Sequence, residues 1–484
     1  MVYLFLCKNQ IFLQNFDRVI HLHYPLQSQF LLGFNSNSLK FENINFEVRI
    51  MKRILIILTT IFFIGCEEDP TMYTLSVTSN PTEGGTINPT TGEYEEGTEV
   101  TITVTPNSNY EFEKWSGSWS GSETPLTITM DSDKNLVGNF KLMDSDGDGV
   151  SDDVDTCSDT RDGIPVDDNG CMLNPIYLDD NGITIKSYEW GEVGDTGEVN
   201  GITYTIISEG QLRGMISNNE DLSKVCTSKI NDMRDLFRGE NDNKNTFNGD
   251  ISNWDVSSVT DMTQMFYNSN FNGDISNWDV SSVISMMNLF GQNEMFNGDI
   301  SNWDVSSVED MTQMFLSSVF NKDISNWDVS SVINMRNMFR QNRIFNLDIS
   351  NWDVSSVNDM SHMFQFTVFN GDISNWDVSN VIDMSHMFSN QSEFNGDISN
   401  WDVSNVKYMN GMFYISKFNR DISNWDVSSV EDMTQMFFGN FDGGYFNQNL
   451  SSWNVSSVNQ CSDFSKNNPQ WSLPKPIFTN CNPN

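Results

Sequence analysis

A thirteen-residue stretch, FNGDISNWDVSSV, recurs with small changes nine times between Phe247 and Val458, and no other feature constrains the fold as strongly. One tryptophan marks each copy: Trp254, Trp278, Trp303, Trp327, Trp352, Trp376, Trp401, Trp425 and Trp453. Their spacings alternate between 24 and 25 residues until a final spacing of 28 residues. A fixed period in this range is typical of solenoids, in which each repeat buries its apolar face only against its neighbours.

The first half of each repeat has the spacing of a short strand. In Ile251-x-x-Trp254-x-Val256, alternation predicts that Trp254 and Val256 point inward, with Asn253 and Asp255 exposed between them. Phe and Asn then recur together at every turn, and an Asn stacked on its copies can bond the backbone of the adjacent coil. We therefore expect an asparagine ladder along the array.

The second half of each repeat has the spacing of a short helix. Ser258 and Asp261 form a capping-box pattern. Apolar residues follow at helical spacing, namely Val259, Met262, Met265 and Phe266. We therefore predict a leucine-rich-repeat-like solenoid over residues 222–465, with a short strand and a short helix in each 24–25-residue coil. Residues 176–221 are expected to be its N-terminal cap and residues 466–484 its C-terminal cap tail.

The repeat pattern WDVSSV…M…MF…FN closely resembles the BspA-like surface protein family, over roughly residues 200–465. That resemblance implies a leucine-rich-repeat-like solenoid displayed on the cell surface and involved in attachment to host proteins or other cells.

Within the predicted cap, GITIK and GITYTII read as strands, and residues 209–217 read as a short helix that begins after Ser208.

Residues 51–66 read as an export signal. Lys52 and Arg53 precede an apolar run of eleven residues, which is too short to span a bilayer. Cys66 follows a small residue, as in the lipobox of bacterial lipoproteins, and this resemblance implies that Cys66 is lipidated. The acidic residues after it resemble a tag for surface export, so we expect a surface-exposed lipoprotein of the outer membrane. A plain signal peptide with a stray cysteine is the alternative.

Residues 1–50 precede this complete signal and match no motif, so we interpret them as a mis-annotated leader.

Residues 72–142 alternate apolar and polar side chains between glycine-rich turns, which predicts a small all-β module. Its order, GGTI…GTEVTITVTP…YEFEKWSG…LVGNF, resembles the divergent internalin B-type repeat. That resemblance implies a spacer or adhesion module.

Residues 144–155, DSDGDGVSDDVD, carry oxygen ligands at the offsets of a twelve-residue calcium loop. The candidate metal ligands are Asp144, Asp146, Asp148, the carbonyl of Val150, Asp152 and Asp155. An EF-hand would have Glu at the last position. With the cysteines that follow, residues 143–175 instead resemble a thrombospondin type 3 repeat, which implies a calcium-binding linker with structural Ca²⁺. A merely solvated acidic linker is the alternative.

Seven cysteines divide into pairs and singles. We expect disulfides between Cys157 and Cys171 and between Cys461 and Cys481, because local pairs persist as disulfides in exported proteins. Cys226 is left as a free thiol.

The chain has 66 acidic and 26 basic residues, a balance that argues against nucleic-acid binding. One acidic file recurs at the same repeat position: Asp255, Asp279, Asp304, Asp328, Asp353, Asp377, Asp402 and Asp426. A second file starts at Asp250 and recurs in the same way. Carboxylates stacked at about one strand spacing repel each other, so they either cap turns or bind a cation or partner.

A catalytic triad needs a unique constellation, whereas nearly every polar residue here is one copy of several. Two histidines, His362 and His386, lie at equivalent positions of neighbouring coils and could share a metal, although two exposed helix positions is the simpler interpretation. We expect a non-enzymatic, monomeric surface protein that presents the first file to a protein or glycan on another cell or matrix. The alternative is a glycan-capturing accessory protein.

Translation from Met51 with lipidation of Cys66 predicts that metabolic labelling with a fatty acid marks the wild-type protein. Cys66→Ala should lose the label, because the thiol is the acceptor, whereas Cys226→Ala should keep it. Equal labelling of wild type and Cys66→Ala would rule out this anchor.

Overall fold

The computed structural model describes residues 69–484 except 241–242, 391–392 and 440–443, and also the backbone of three strands before residue 24. The chain divides into two compact units, Met1–Asp159 and Thr160–Asn484. The predicted signal at residues 51–66 and Cys66 lie outside the described residues.

The first unit is built from strands. Three form an antiparallel sheet in the order of the sequence: β1 (Tyr3–Cys7), β2 (Gln10–Asn15) and β3 (Arg18–His23). Seven more follow: β4 (Met72–Asn80), β5 (Gly85–Asn88), β6 (Thr91–Glu95), β7 (Glu99–Pro106), β8 (Tyr110–Gly117), β9 (Leu126–Thr129) and β10 (Lys134–Leu142). They form two sheets, β6-β4-β10-β8 and β5-β7-β9. The predicted N-terminal all-β module is therefore confirmed.

Alternating side chains of these sheets form one core. Leu75, Ile102, Trp115 and Phe140 are all buried in it. The indole N–H of Trp115 donates to the carbonyl of Glu123 at 2.9 Å, so the polar atom of the largest buried side chain has a partner.

The second unit begins with short strands and the one α-helix among the described residues. The strands are β11 (Ile176–Leu178), β12 (Ile185–Ser187), β13 (Thr196–Val199), β14 (Ile202–Ile206) and β15 (Val225–Cys226), and the helix α1 is Glu209–Ser217. Ser208 caps α1 in a reciprocal capping box with Gln211. The helix has the bounds that the sequence predicted.

The predicted solenoid with a strand and a helix in each coil is wrong. The described residues of the repeats hold neither; each repeat is a series of tight turns, such as Ile251 to Trp254, Val256 to Val259 and Met262 to Met265. Successive repeats are joined by a series of isolated parallel bridges from Asp232↔Asp261 to Asp432↔Gln460, and Asn245↔Ser269 adds one more at the start of the array. In the part of the chain that the structure describes, these bridges and small β-sheets, with α1 as the one helix, stand in place of the leucine-rich-repeat architecture.

Left-handed residues explain why no helix forms after Val259. Gln264 has φ of 58° and Asn268 has φ of 50°, and the residues at the equivalent positions of most other repeats are also left-handed. The N–H groups of Met262 and Gln264 donate forward to the carbonyls of Ser285 and Met287 in the next repeat, at 3.0 and 2.8 Å. They are therefore not available to carbonyls four residues earlier, as a helix requires.

The predicted core side chains are buried as the sequence indicated. Ile251, Trp254 and Val256 are each 1% exposed, and Val259 and Met262 are 0% exposed. Each repeat tryptophan also donates its indole N–H to a carbonyl of the preceding repeat, the bond from Trp352 to Ile324 being 3.0 Å long. A phenylalanine would fill much of that space but would lose this bond between repeats, and the carbonyl of Ile324 would keep only the backbone N–H of Trp327 as its donor.

The asparagine ladder is confirmed. The side-chain oxygen of Asn248 accepts the N–H of Asn272 at 2.8 Å, and Asn272 accepts the N–H of Asn297 at 3.1 Å. Beside it the phenylalanine rings stack, with 6.3 Å between the ring centroids of Phe271 and Phe296. The stack is thus held by a polar ladder and an apolar column along the same edge.

We predict that Gln264→Gly is more stable than Gln264→Ala by about 1 kcal/mol, because the left-handed conformation is costly for an L-residue with a Cβ. In a helix the order would be reversed, since Gly costs about 1 kcal/mol there relative to Ala. Urea unfolding of both variants measures the difference. Greater stability of the alanine variant would contradict the turn geometry at this position.

Candidate partner-binding face

The first acidic file caps turns. In every member Oδ1 accepts the backbone N–H of the serine two residues later, as in Asp328, which bonds Ser330 at 3.0 Å. The serine hydroxyl adds a bond to the same atom at 2.6 Å. These bonds, the hydroxyl first and the backbone second, lower the pKa of Asp328. The Asp328 carboxylate therefore stays charged while it holds its turn.

The structure leaves most of this file open to solvent. Asp279, Asp304, Asp328, Asp353, Asp377, Asp402 and Asp426 are exposed. Asp255 is only 5% exposed, so the prediction that it lies on the open face is wrong. The Ser228 hydroxyl bonds its Oδ2 at 2.5 Å, and the N–H of Ile185 in β12 donates to the carbonyl of Asn253. The cap strands thus cover the first repeat, and the open file begins at Asp279.

The second file repeats the same geometry. Asp323 accepts the N–H of Ser325 at 2.9 Å, and this bond is the main cause of its lowered pKa. Asp299 and Asp348, its neighbours in the file, act in the opposite direction. The carboxylates of adjacent repeats are therefore close enough to repel each other, but the turn bonds outweigh the repulsion.

The last repeat shows that the turns need an oxygen acceptor and not a charge. Asn449 and Asn454 occupy the two file positions there, and they accept the N–H groups of Ser451 and Ser456 at 3.1 and 3.2 Å. The D-x-S spacing that produces these turns was present in the sequence, but sequence reasoning did not use it. The turns therefore do not require the negative charges of the two acidic files.

The calcium loop brings three of its carboxylates together. Ligand oxygens of Asp144, Asp146 and Asp148 lie within 4.8 Å of one another, and Oδ2 of Asp148 is buried without a hydrogen-bond partner. Asp152 instead accepts both the N–H and the hydroxyl of Ser145, each at 2.7 Å.

The other predicted ligands of this loop are placed as follows. Asp155 accepts the N–H of Cys157 at 2.7 Å. Val150 donates its N–H to Asp148 at 2.8 Å. Gly149, at the sixth position of the loop, has φ of 96°, which only glycine adopts easily. Three carboxylates with an unsatisfied buried oxygen fit a hard divalent cation.

The cysteines behave as their spacing indicated. Cys461 and Cys481 form a disulfide, and Cys157 and Cys171 are both disulfide-bonded. Cys226 is a buried free thiol whose pKa is raised by burial. The bridge from Cys461 ties the C-terminal tail to the last repeat, where Phe478 packs edge-on against Phe464.

The histidines do not occupy exposed helix positions. His362 and His386 are half-buried and stack with 4.8 Å between ring centroids. Nδ1 of His362 lies 3.0 Å from Oε1 of Gln365. Both rings sit on left-handed residues, with φ of 60° and 56°, so a turn and not a helix presents them.

Family models match both the repeat region and the β module of the chain. The model of the family described as "Mycoplasma protein of unknown function, DUF285" matches residues 209–319, 303–390 and 365–473, which together span more than half of the 484 residues. The divergent InlB B-repeat domain matches residues 75–144. No curated protein and no solved structure matches the chain. Among the described residues, no helix is long and apolar enough to cross a membrane.

Proposed function

Because the chain belongs to the DUF285 family and also carries a divergent InlB B-repeat domain, we propose that it is a non-enzymatic cell-surface protein whose repeat stack binds a partner. The observation that carries the proposal is the pair of acidic rows, because their charges are not needed for the turns that they cap. Both matched domains support a surface protein, and the likeness to BspA-type repeats supports attachment as its role.

The open side of the acidic rows suits a basic partner or one bridged by cations. The exposed members of the first file use Oδ1 for the turns, and among the described residues their Oδ2 atoms have no hydrogen-bond donor. The repeats from Asp279 to Asp426 therefore present a free carboxylate oxygen at a regular interval. A glycan partner is the second candidate, but the repeat tryptophans that would stack on sugars are at most 5% exposed.

We further propose that Cys66 carries a lipid anchor to the outer membrane and that the β module spaces the repeats from it. The signal-like segment at residues 51–66 supports the anchor. The strands β4 to β10 form a core of their own, as a spacer module would.

The triple variant Asp328→Asn, Asp353→Asn and Asp377→Asn tests the role of the charges. Asn454 already caps the equivalent turn, so folding should persist, and unfolding midpoints should change little. Binding to a partner identified by surface-protein pull-down or glycan array should weaken and lose much of its salt dependence, because three carboxylates are removed.

The matched control removes three charges from the second file, at Asp299, Asp348 and Asp397. Weakening in the first variant alone places the contact on the first file. If the triple variant loses stability while its folded fraction still binds, the carboxylates serve the fold only. If neither triple variant changes stability or binding, the partner binds at a surface outside both acidic rows.

We also propose that the loop from Asp144 to Asp155 binds Ca²⁺ as a structural ion. The ion would be held by Asp144, Asp146 and Asp148, with the remaining sites filled by carbonyl or water oxygens. Bound there, it would neutralise the repulsion among the three carboxylates and stiffen the segment.

Calorimetry of the full chain should show Ca²⁺ binding that Asp146→Asn with Asp148→Asn removes, because both ligand oxygens lose their charge. Asp168→Asn, an exposed acid outside the loop, should leave the binding unchanged. Absence of heat from the wild-type protein at about millimolar Ca²⁺ would exclude an EF-hand-like site of extracellular affinity.

A further inference from the structure

One coil of this acidic chain has a concentration of arginines without acidic partners. Arg336, Arg340 and Arg343 lie within eight residues of each other. Elsewhere, Arg213 and Arg234 form ion pairs with Glu209 and Asp232 at 2.7 and 2.6 Å. Among the described residues, none of the three arginines has a carboxylate oxygen within the 4.0 Å of an ion pair. With 66 acidic residues in the chain, this local excess of positive charge is unexpected.

Buried polar atoms also lack hydrogen-bond partners in the same coils. The buried atoms without a partner include Nε of Arg340, the hydroxyl of Ser361 and Nδ1 of His386. Ser361 is only 2% exposed, so its hydroxyl cannot rely on bulk water. The bridges Asn334↔Asp359 and Asp359↔Asp383 show that these residues belong to three successive repeats. An unsatisfied buried donor costs free energy, which an added acceptor would recover.

The two stacked imidazoles adjoin the arginines. Burial lowers the pKa of His362, and the charges of Arg340 and Arg336 lower it further. The Gln365 bond and Asp359 act in the opposite direction. Both guanidinium groups are therefore within electrostatic range of the ring. Arg336 is exposed and Arg340 is half-buried, so the group is open on one side.

His386 lies one repeat further on. Burial is the main cause that lowers its pKa to about 4, followed by His362 and Arg340. Asp383 and Asp432 act in the opposite direction without offsetting it. Its ring also lies against Gly411, where a Cβ would be 2.2 Å from the ring, so the position of the imidazole is fixed.

We propose that this basic face, made of Arg336, Arg340, Ser361, His362 and His386, binds an oxyanion: a sulfate, phosphate or carboxylate group. Guanidinium groups present paired N–H donors that match such oxygens, and the hydroxyl and imidazoles supply further donors. A bound anion supplies the acceptors that the buried donors lack. It also favours protonation of the two imidazoles, so binding takes up protons. The site is independent of the acidic rows, whose charge has the opposite sign.

Isothermal titration of the full chain with inorganic sulfate and with phosphate tests the site. Arg336→Gln with Arg340→Gln should raise Kd by about tenfold or more, because two charge-assisted contacts are lost. Arg420→Gln is the matched control, since it removes the same charge from a residue that bonds the carbonyl of Asn395 instead. Arg336→Gln alone, at an exposed position, keeps the test valid if the double variant unfolds.

Proton uptake gives a readout that a structural role would not change. The binding heat should depend on the ionisation enthalpy of the buffer. The affinity should increase as the pH falls toward about 4, the pKa of the His386 imidazole without the anion, and His386→Asn should reduce both effects. A sulfated polysaccharide, titrated beside free sulfate, distinguishes an anion carried on a polymer from a free ion by its lower Kd. Equal weakening in Arg420→Gln, or no binding of any anion at millimolar concentration, would overturn the proposal.

Discussion

The repeats are held together by backbone hydrogen bonds in which most N–H groups donate to the following repeat, while Thr260 and its equivalents donate to the preceding one. The N–H groups of Met262, Gln264 and Phe266 donate to the following repeat, and the same positions of that repeat donate to the next one. The left-handed residues Gln264 and Asn268 interrupt any helical path, so that alternate N–H groups from Met262 onward can donate to the next repeat. Every repeat therefore depends on its neighbour for both its donors and its acceptors. The buried tryptophans and the asparagine ladder add contacts to an arrangement that the backbone already sets.

The sequence predicted the core of this arrangement but not its backbone. Period and apolar spacing identified Trp254, Val256, Val259 and Met262 as buried, and all four are. The same spacing of three and four residues fits either a helix or consecutive turns, because both return a side chain to one face after three or four residues. Only the choice of hydrogen-bond partner separates them, and that partner lies in another repeat. The recurrence of Gln, Asn, His and Gly at the position of Gln264 was the one local sign of a left-handed residue.

The candidate sites could likewise be predicted where they follow the repeat pattern and not where they depart from it. Regular features, such as the acidic files and the loop at Asp144, could be found from spacing alone. Asp255 was misplaced because its burial depends on the cap strands, which the repeat pattern does not contain. The basic face was missed because it breaks the pattern: Arg336 and Arg340 replace residues that are uncharged in most repeats. Three arginines within eight residues of a strongly acidic chain were the signal that could have revealed it.

The alternation of 24 and 25 residues makes a two-repeat unit of 49 residues, each half of which bonds its neighbours through the same backbone positions. Inserting or deleting one such unit in the gene leaves the backbone bonds of both new junctions complete, since the internal repeats share them. The protein can thus change length in steps of about 10 Å, two strand spacings, without redesign of its core. Each step adds or removes four carboxylates from the exposed rows. The number of contacts offered to a long, repetitive ligand is therefore set by gene duplication and not by point mutation.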